Sequence, residues 1–468
     1  MWLSPDWFFP GTRSYTEQEV RQSAAGVFEE LRAREVDTVF LETFLRGYGV
    51  CPSIALDAGK RNATVVDYRP GQEGFPVYPH LRWDYRVEFE TVLDPLQIFI
   101  EEGQAQGIEV HAWVHLFYWR MDNNDIMLPW HDGPSLWGTL MEQYLREQEE
   151  RLSLVQAQDV RPGYEPVVAE SLNGDLPLEV VAEAADLFST GCDTRRLEEI
   201  LAEHDIESDG HPIGTLIARI IASGGQRPDF LLMADDQDPF PAPRGKHLRA
   251  IYVDPENPQV REALLSAISN IAETHPGLAG VHLDHVRYPV DGQGLNPRTG
   301  VLDGTYRYFD AADSGQMKQY RYLTETLRTR REAVNTLVAE IAEKMPRGVQ
   351  LSAAVLPLYY RDRDTGKFRT SGYDYASQAW LHWPVDFVVP MMYEYHPYLI
   401  RTLVEQYQTL ADSANPENPI AVYPGISRLR YTRDGSVKPQ GWVFFDLTLA
   451  RDVKNARQEE EDLDFGGE

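Results

Sequence analysis

The sequence predicts an α/β fold, a (β/α)8 TIM barrel with a helical insertion after the third strand. Three observations carry this reading. Short β-rich runs alternate with amphipathic helices, the runs number eight, and polar, chemistry-bearing side chains gather where the runs end. Alternation of strand and helix argues for parallel pairing, with an open doubly wound sheet as the other architecture. A chain of 468 residues suffices for one large barrel with insertions.

Trp2-Leu3-Ser4 is a minimal first strand. Thr16 with Glu19 reads as a capping box, followed by the apolar stripe Val20, Ala24, Val27, Phe28 and Leu31. Val36 to Phe44 is the second strand, with Phe40 and Glu42 on one face and Val39 and Leu41 on the other. After a helix near 94–106, Ile108 to His115 is the third; it aligns Glu109, His111, Trp113 and His115 on one face. Residues 135–226 break the alternation. Leu140, Tyr144 and Leu145, then Leu197, Ile200 and Leu201, then Leu216, Ile217 and Ile220 read as helices with no comparable strand between them.

Asn257-Pro258 is an N-cap followed by proline at the first helical position, and Val260, Leu264, Ile268 and Ile271 form that helix's stripe. It leads into the stretch Gly277 to Pro289. There an apolar run ends abruptly in His282, Asp284, His285, Arg287 and Tyr288. A helix over 322–345 precedes Gln350 to Leu356, and Val385 to Tyr393, Ile420 to Tyr423 and Trp442 to Leu447 complete the strands. The expected organisation is a barrel over 1–134 and 227–451, a helical insertion over 135–226 and an acidic tail over 452–468.

A formal net charge of −29 disfavours nucleic acid and anionic membrane as partners, because both would be repelled. Cys51 and Cys192 make neither a disulfide framework nor a zinc motif. No window approaches the roughly 20 apolar residues of a membrane span, and the start lacks a signal-peptide pattern. The expectation is a chain with no integral membrane segment, cytoplasmic by default, exported if an upstream signal has been removed. No phosphate-cradling Gly-rich loop and no Gly-x-Ser-x-Gly elbow occurs, so no nucleotide cofactor or serine-hydrolase chemistry is expected.

Gly280-Val281-His282-Leu283-Asp284, with Arg287-Tyr288-Pro289, resembles the signature of the glycosyl-hydrolase-like 10 family. The resemblance continues in order through Trp2-Leu3-Ser4, Val110-His111-Ala112-Trp113, Asp254-Pro255-Glu256-Asn257-Pro258, Arg330 to Asn335, and Val385 to Tyr393. It implies a TIM barrel and glycoside hydrolysis, with peptidoglycan glycan strands lacking peptide stems as the associated substrate. The chain departs from the family pattern at Glu42, at Met392 and in the length of 135–226.

Glycosidic cleavage usually needs two carboxyl groups, one to protonate the leaving oxygen and one to attack or to activate water. Asp284 is the candidate nucleophile or base, with His285 and Arg287 placed to keep it ionised and oriented. The acid is either Glu42, ending the second strand, or Glu394, after Tyr393 at the end of the sixth. His111, His115 and His282 are candidates to bind sugar hydroxyls, as is Asp446, while Trp113, Trp119, Tyr288 and Tyr393 are candidates to stack on pyranose faces. An oligosaccharide or polysaccharide partner follows. No metal is expected, because His111 and His115, four residues apart on a strand, stand about 13 Å apart. Two other readings use the same residues: a carbohydrate-binding barrel without catalysis, and a metal-dependent deacetylase built on His111, His115, Asp284 and His285.

Overall fold

The computed structural model describes residues 1–3, 14–45, 48–49, 66–68, 85–89, 94–121, 136–157, 176–190, 194–208, 212–226, 228–232, 250–288, 314–357, 359–361, 368–370, 376–392, 397–426 and 441–444. The expectations for Tyr393, Glu394, Asp446 and the tail over 452–468 lie outside the described residues.

In chain order the principal elements begin with β1 (Trp2–Leu3), α1 (Glu17–Ala33), β2 (Thr38–Leu45), α2 (Pro95–Ala105) and β3 (Glu109–His115). Four consecutive helices follow, α3 (Leu136–Ala157), α4 (Leu178–Thr190), α5 (Thr194–Glu203) and α6 (Pro212–Ala222). Then come α7 (Pro258–Thr274), β4 (Gly280–Asp284), α8 (Ser314–Lys344), β5 (Gln350–Val355), β6 (Phe387–Pro390), α9 (Pro397–Ala414) and β7 (Ala421–Val422).

The seven strands pair in parallel and in sequence order, each beside the next. A doubly wound sheet would reverse its order at a switch point, and this one does not. Met391 continues the pattern by bridging to Gly425 in β8 (Gly425–Ile426), which pairs in parallel with β9 (Val443–Phe444). A Cβ added at Gly425 would lie 3.0 Å from Trp2 Cη2, so the curl brings β8 back against the side chain of β1. Among the described residues no ladder joins β9 to β1. The observed architecture is therefore α/β, with a curled parallel sheet.

The helices start where their caps dictate. Glu19 N–H donates to Thr16 Oγ1 at 3.2 Å while Glu19 Oε2 accepts from Thr16 N–H at 2.9 Å. Asn257 Oδ1 accepts from Gln259 and Val260 N–H at 2.9 and 3.1 Å, and Pro258 fills the first turn without needing a donor. The helix α8 begins at Ser314, ahead of the expected 322, because its polar first turns carry little apolar period for the sequence to display.

Alternation then separates two cores. Outward residues Leu3, Val39, Leu41, Val110, Ala112, Val281, Leu283, Leu351 and Val388 pack with Phe28, Leu31, Leu264, Ile268, Leu337 and Ile341 of the helices. Each fully buried Val, Leu, Ile or Phe among them contributes about 1.5–3 kcal/mol by leaving water. Inward residues Trp2, Phe40, Trp113, Ala354, Phe387, Val389 and Val443 form a second cluster inside the curl. The helices α3 to α6 bury Leu145, Val181, Phe188, Leu201, Leu216 and Ile217 in the outer core, and Tyr144 Oη donates to Gln226 O at 2.8 Å.

Gly280 shows how tightly the interior is filled. It pairs with His111, and a Cβ there would meet His111 Nδ1 at 2.3 Å and Gln350 O at 2.7 Å. Gly280→Ala is expected to cost roughly 1–3 kcal/mol through overpacking, read as a lowered urea midpoint. An unchanged midpoint would mean that the imidazole moves aside freely.

Asp254 precedes α7 and accepts from Glu256 N–H at 2.8 Å. Burial pushes its carboxyl from 3.8 up to about 6, opposed by that backbone donor and reinforced by the Glu256 charge. The folded state then holds a proton between about pH 4 and 6 that the unfolded chain has released, so stability falls as pH rises through this window. Asp254→Asn keeps an acceptor oxygen and removes the ionisation. It is expected to stabilise the protein above pH 6 by on the order of 2 kcal/mol, with no gain below pH 4. Urea unfolding at several pH values measures the difference; a gain independent of pH would show another cause.

Candidate active site

Three adjacent strands deliver the polar cluster. Register pairs Phe40 with His111 and Glu42 with Trp113 across β2 and β3, then His282 with Trp113 and Asp284 with His115 across β3 and β4. A bulge in β2 between Glu42 and Phe44 shifts the pairing where that strand ends. Glu42, His115 and Asp284 thus stand at the C-terminal rim, the end of a parallel curled sheet where barrel enzymes build their sites.

All three are buried, with Glu42 4%, His115 3% and Asp284 7% exposed. Asp284 Oδ2 accepts from Trp113 Nε1 at 3.1 Å, and its Oδ1 accepts from the backbone N–H of His285 at 2.6 Å. Burial alone would raise the Asp284 carboxyl. The His285 and His115 imidazoles and the His285 N–H outweigh it, holding the group at about 2. His115 Nε2 lies 3.2 Å from Glu42 Oε1, an electrostatic contact without the alignment of a hydrogen bond.

His285 ends the strand in a conformation that few side chains adopt, with φ of 47°. The left-handed φ redirects the His285 side chain and the chain that follows it, while its N–H stays on Asp284 Oδ1. Its ring lies between two others, 4.9 Å from His115 at 22° and 4.9 Å from Tyr118 at 26°. Trp113 extends the row at 4.8 Å from His115. The chain leaving β3 follows the same turn, with Leu116 N–H donating to Asp284 O at 2.9 Å and Phe117 N–H to His285 O at 3.3 Å.

Other expected sugar contacts sit deeper. His111 and His282 are fully buried below the rim. Phe40 stacks on His282 at 3.9 Å, and His111 meets Phe40 and Phe387 edge-on. His282 Nδ1 pairs with Ser352 Oγ at 2.9 Å. Burial lowers the His111 imidazole to about 3 and His282 well below its ordinary value, so both are neutral rings forming a floor. Trp113 is also buried, and its indole N–H serves Asp284. Tyr288 packs in the outer core with the Arg330 guanidinium 4.8 Å above its ring, and Arg287 is buried beside it in sequence. The structure thus brings together Glu42, Trp113, His115, Asp284 and His285. It adds Tyr118 at the rim and, on the floor beneath, Ser352, which the sequence signalled only as an aromatic beyond a strand end and a hydroxyl inside an apolar strand.

Among the described residues, no helix is long and apolar enough to cross a membrane. No protein-family model and no curated protein matches this chain. Among solved structures it is similar to the cycloisomaltooligosaccharide glucanotransferase of a Paenibacillus species, at 9% identity over 90% of this chain and 39% of that one, TM-score 0.38. It is similar to the exo-β-N-acetylglucosaminidase of Vibrio harveyi at 9% identity over 91% of this chain and 40% of that one, TM-score 0.33. The glycoside hydrolase domain of PelA from Pseudomonas aeruginosa is a third, at 12% identity over 72% of this chain and 85% of that one, TM-score 0.22. This chain spans about two fifths of the length of the first two.

Proposed function

We propose that this protein is a glycoside hydrolase acting on a polysaccharide by carboxylate acid/base catalysis. The observation that carries the reading is a pair of buried carboxylates, Glu42 and Asp284, at the same rim of the curled sheet and in contact with the same imidazole neighbourhood. Asp284 is the nucleophile or base, oriented through both oxygens by Trp113 and His285. Glu42 is the proton donor. Tyr118 and His285 form the partly exposed edge on which a sugar ring rests.

In the same reading the sheet closes as a (β/α)8 barrel, residues 135–226 are a helical insertion beside the site, and 452–468 is an acidic tail. The resemblance to the glycosyl-hydrolase-like 10 family favours an amino-sugar glycan, denuded peptidoglycan foremost. The test is release of new reducing ends from denuded peptidoglycan and a panel of polysaccharides, with Asp284→Asn as the control. No product from any glycan after long incubation with folded wild type would leave a carbohydrate-binding barrel in its place.

A further inference from the structure

We propose that His115, Asp284 and His285 form a binding site for one divalent late first-row transition-metal ion, of the zinc class. One donor atom from each residue lies within 4.8 Å of the other two. His285 Nδ1 and Asp284 Oδ1 are 3.5 Å apart, close to the ligand–ligand edge of about 3.3 Å in a tetrahedron with bonds near 2.0 Å. Neither ring nitrogen of the buried His115 makes a hydrogen bond, which leaves a desolvated lone pair directed to no protein donor.

The backbone explains why two consecutive residues can share the ion. In an extended strand Asp284 and His285 would project to opposite faces. The left-handed φ of 47° at His285 turns both onto one side. Two imidazoles and one carboxylate suit zinc-like ions, whereas calcium and magnesium favour all-oxygen sets. Glu42, against His115, supplies an acidic neighbour that balances the charge of the ion. His111 and His282 stay outside the site, on the floor, with His282 committed to Ser352.

The ion and the reacting centre of the glycan compete for the same Asp284 oxygens. Metal occupation therefore excludes hydrolysis, and zinc inhibits competitively with glycan. The metal site stands on geometry alone; its inhibitory consequence rests on the hydrolytic reading above.

The experiment is titration of chelator-stripped full chain with Zn²⁺ by calorimetry and with Co²⁺ by visible absorption. The expected result is one ion per chain, a Co²⁺ d–d spectrum of low coordination number, and affinity at least about 100-fold weaker in His115→Ala and His285→Asn. Asn tolerates the left-handed backbone, so the second variant separates loss of a ligand from loss of the turn. Absence of stoichiometric binding by folded wild type, or affinity unchanged in both variants, would overturn the site. Hydrolysis that persists at saturating zinc would overturn the competition. Zinc bound at these residues in a protein whose stripped form cleaves no glycan would sustain the site and remove the hydrolytic reading.

Discussion

Asp284→Asn is expected to lower kcat on the glycan substrate by at least roughly 10³-fold, about 4 kcal/mol of barrier, with KM little changed. The amide neither attacks an anomeric carbon nor takes a proton from water. The substitution also has a structural cost. Asp284 accepts through both oxygens, from Trp113 Nε1 and from His285 N–H, and Asn has only one acceptor. Its NH₂ group must therefore face one of those donors, at a cost of roughly 1–3 kcal/mol. A domain with about 5–15 kcal/mol of stability remains almost wholly folded after that loss. Unfolding therefore cannot supply a thousandfold fall in kcat, and circular dichroism with a urea midpoint verifies the folded fraction. A variant that is destabilised by this amount yet turns over within tenfold of wild type would make Asp284 a structural acceptor only.

How much of this site the sequence displays depends on the difference between face and height. Alternation assigned His111, Trp113 and His115 to one face of the third strand, and His282 with Asp284 to one face of the fourth; the backbone keeps those assignments. Alternation says nothing about how far along the axis of the curled sheet each residue stands. That is fixed by register between strands, which sets His111 opposite Phe40 and Gly280, below the rim, and His115 opposite Asp284, at the rim. Residue type alone therefore grouped three histidines that the fold separates into floor and site. The turn at His285 was equally hidden. No Gly or Asn marks it, because the left-handed backbone there is held by Phe117 N–H donating to His285 O and by rings on both sides. Strand order was more legible, since caps such as Thr16 with Glu19 and Asn257 with Pro258 punctuate the chain at the helix starts.

Glu42→Gln is expected to reduce kcat on the natural glycan by roughly 10²–10⁴-fold, the range that general acid catalysis commands. The substitution is nearly isosteric and leaves a side-chain amide able to donate to His115, so the neighbourhood of Asp284 is preserved. Its consequence should depend on the leaving group. A sugar alkoxide is a poor leaving group and needs a proton in the transition state, whereas an activated nitrophenolate departs without one. The variant is therefore expected to cleave a nitrophenyl glycoside within about tenfold of wild type while failing on the glycan. Steady-state rates on the two substrates give the ratio directly. If both fall together, Glu42 acts through the position of His115 and Asp284, and the proton comes from another carboxyl, with Glu394 next in line. If neither falls, the contact with His115 is structural alone. Only a selective loss on the unactivated substrate identifies proton donation, because a residue that merely holds the site in shape depresses every leaving group alike.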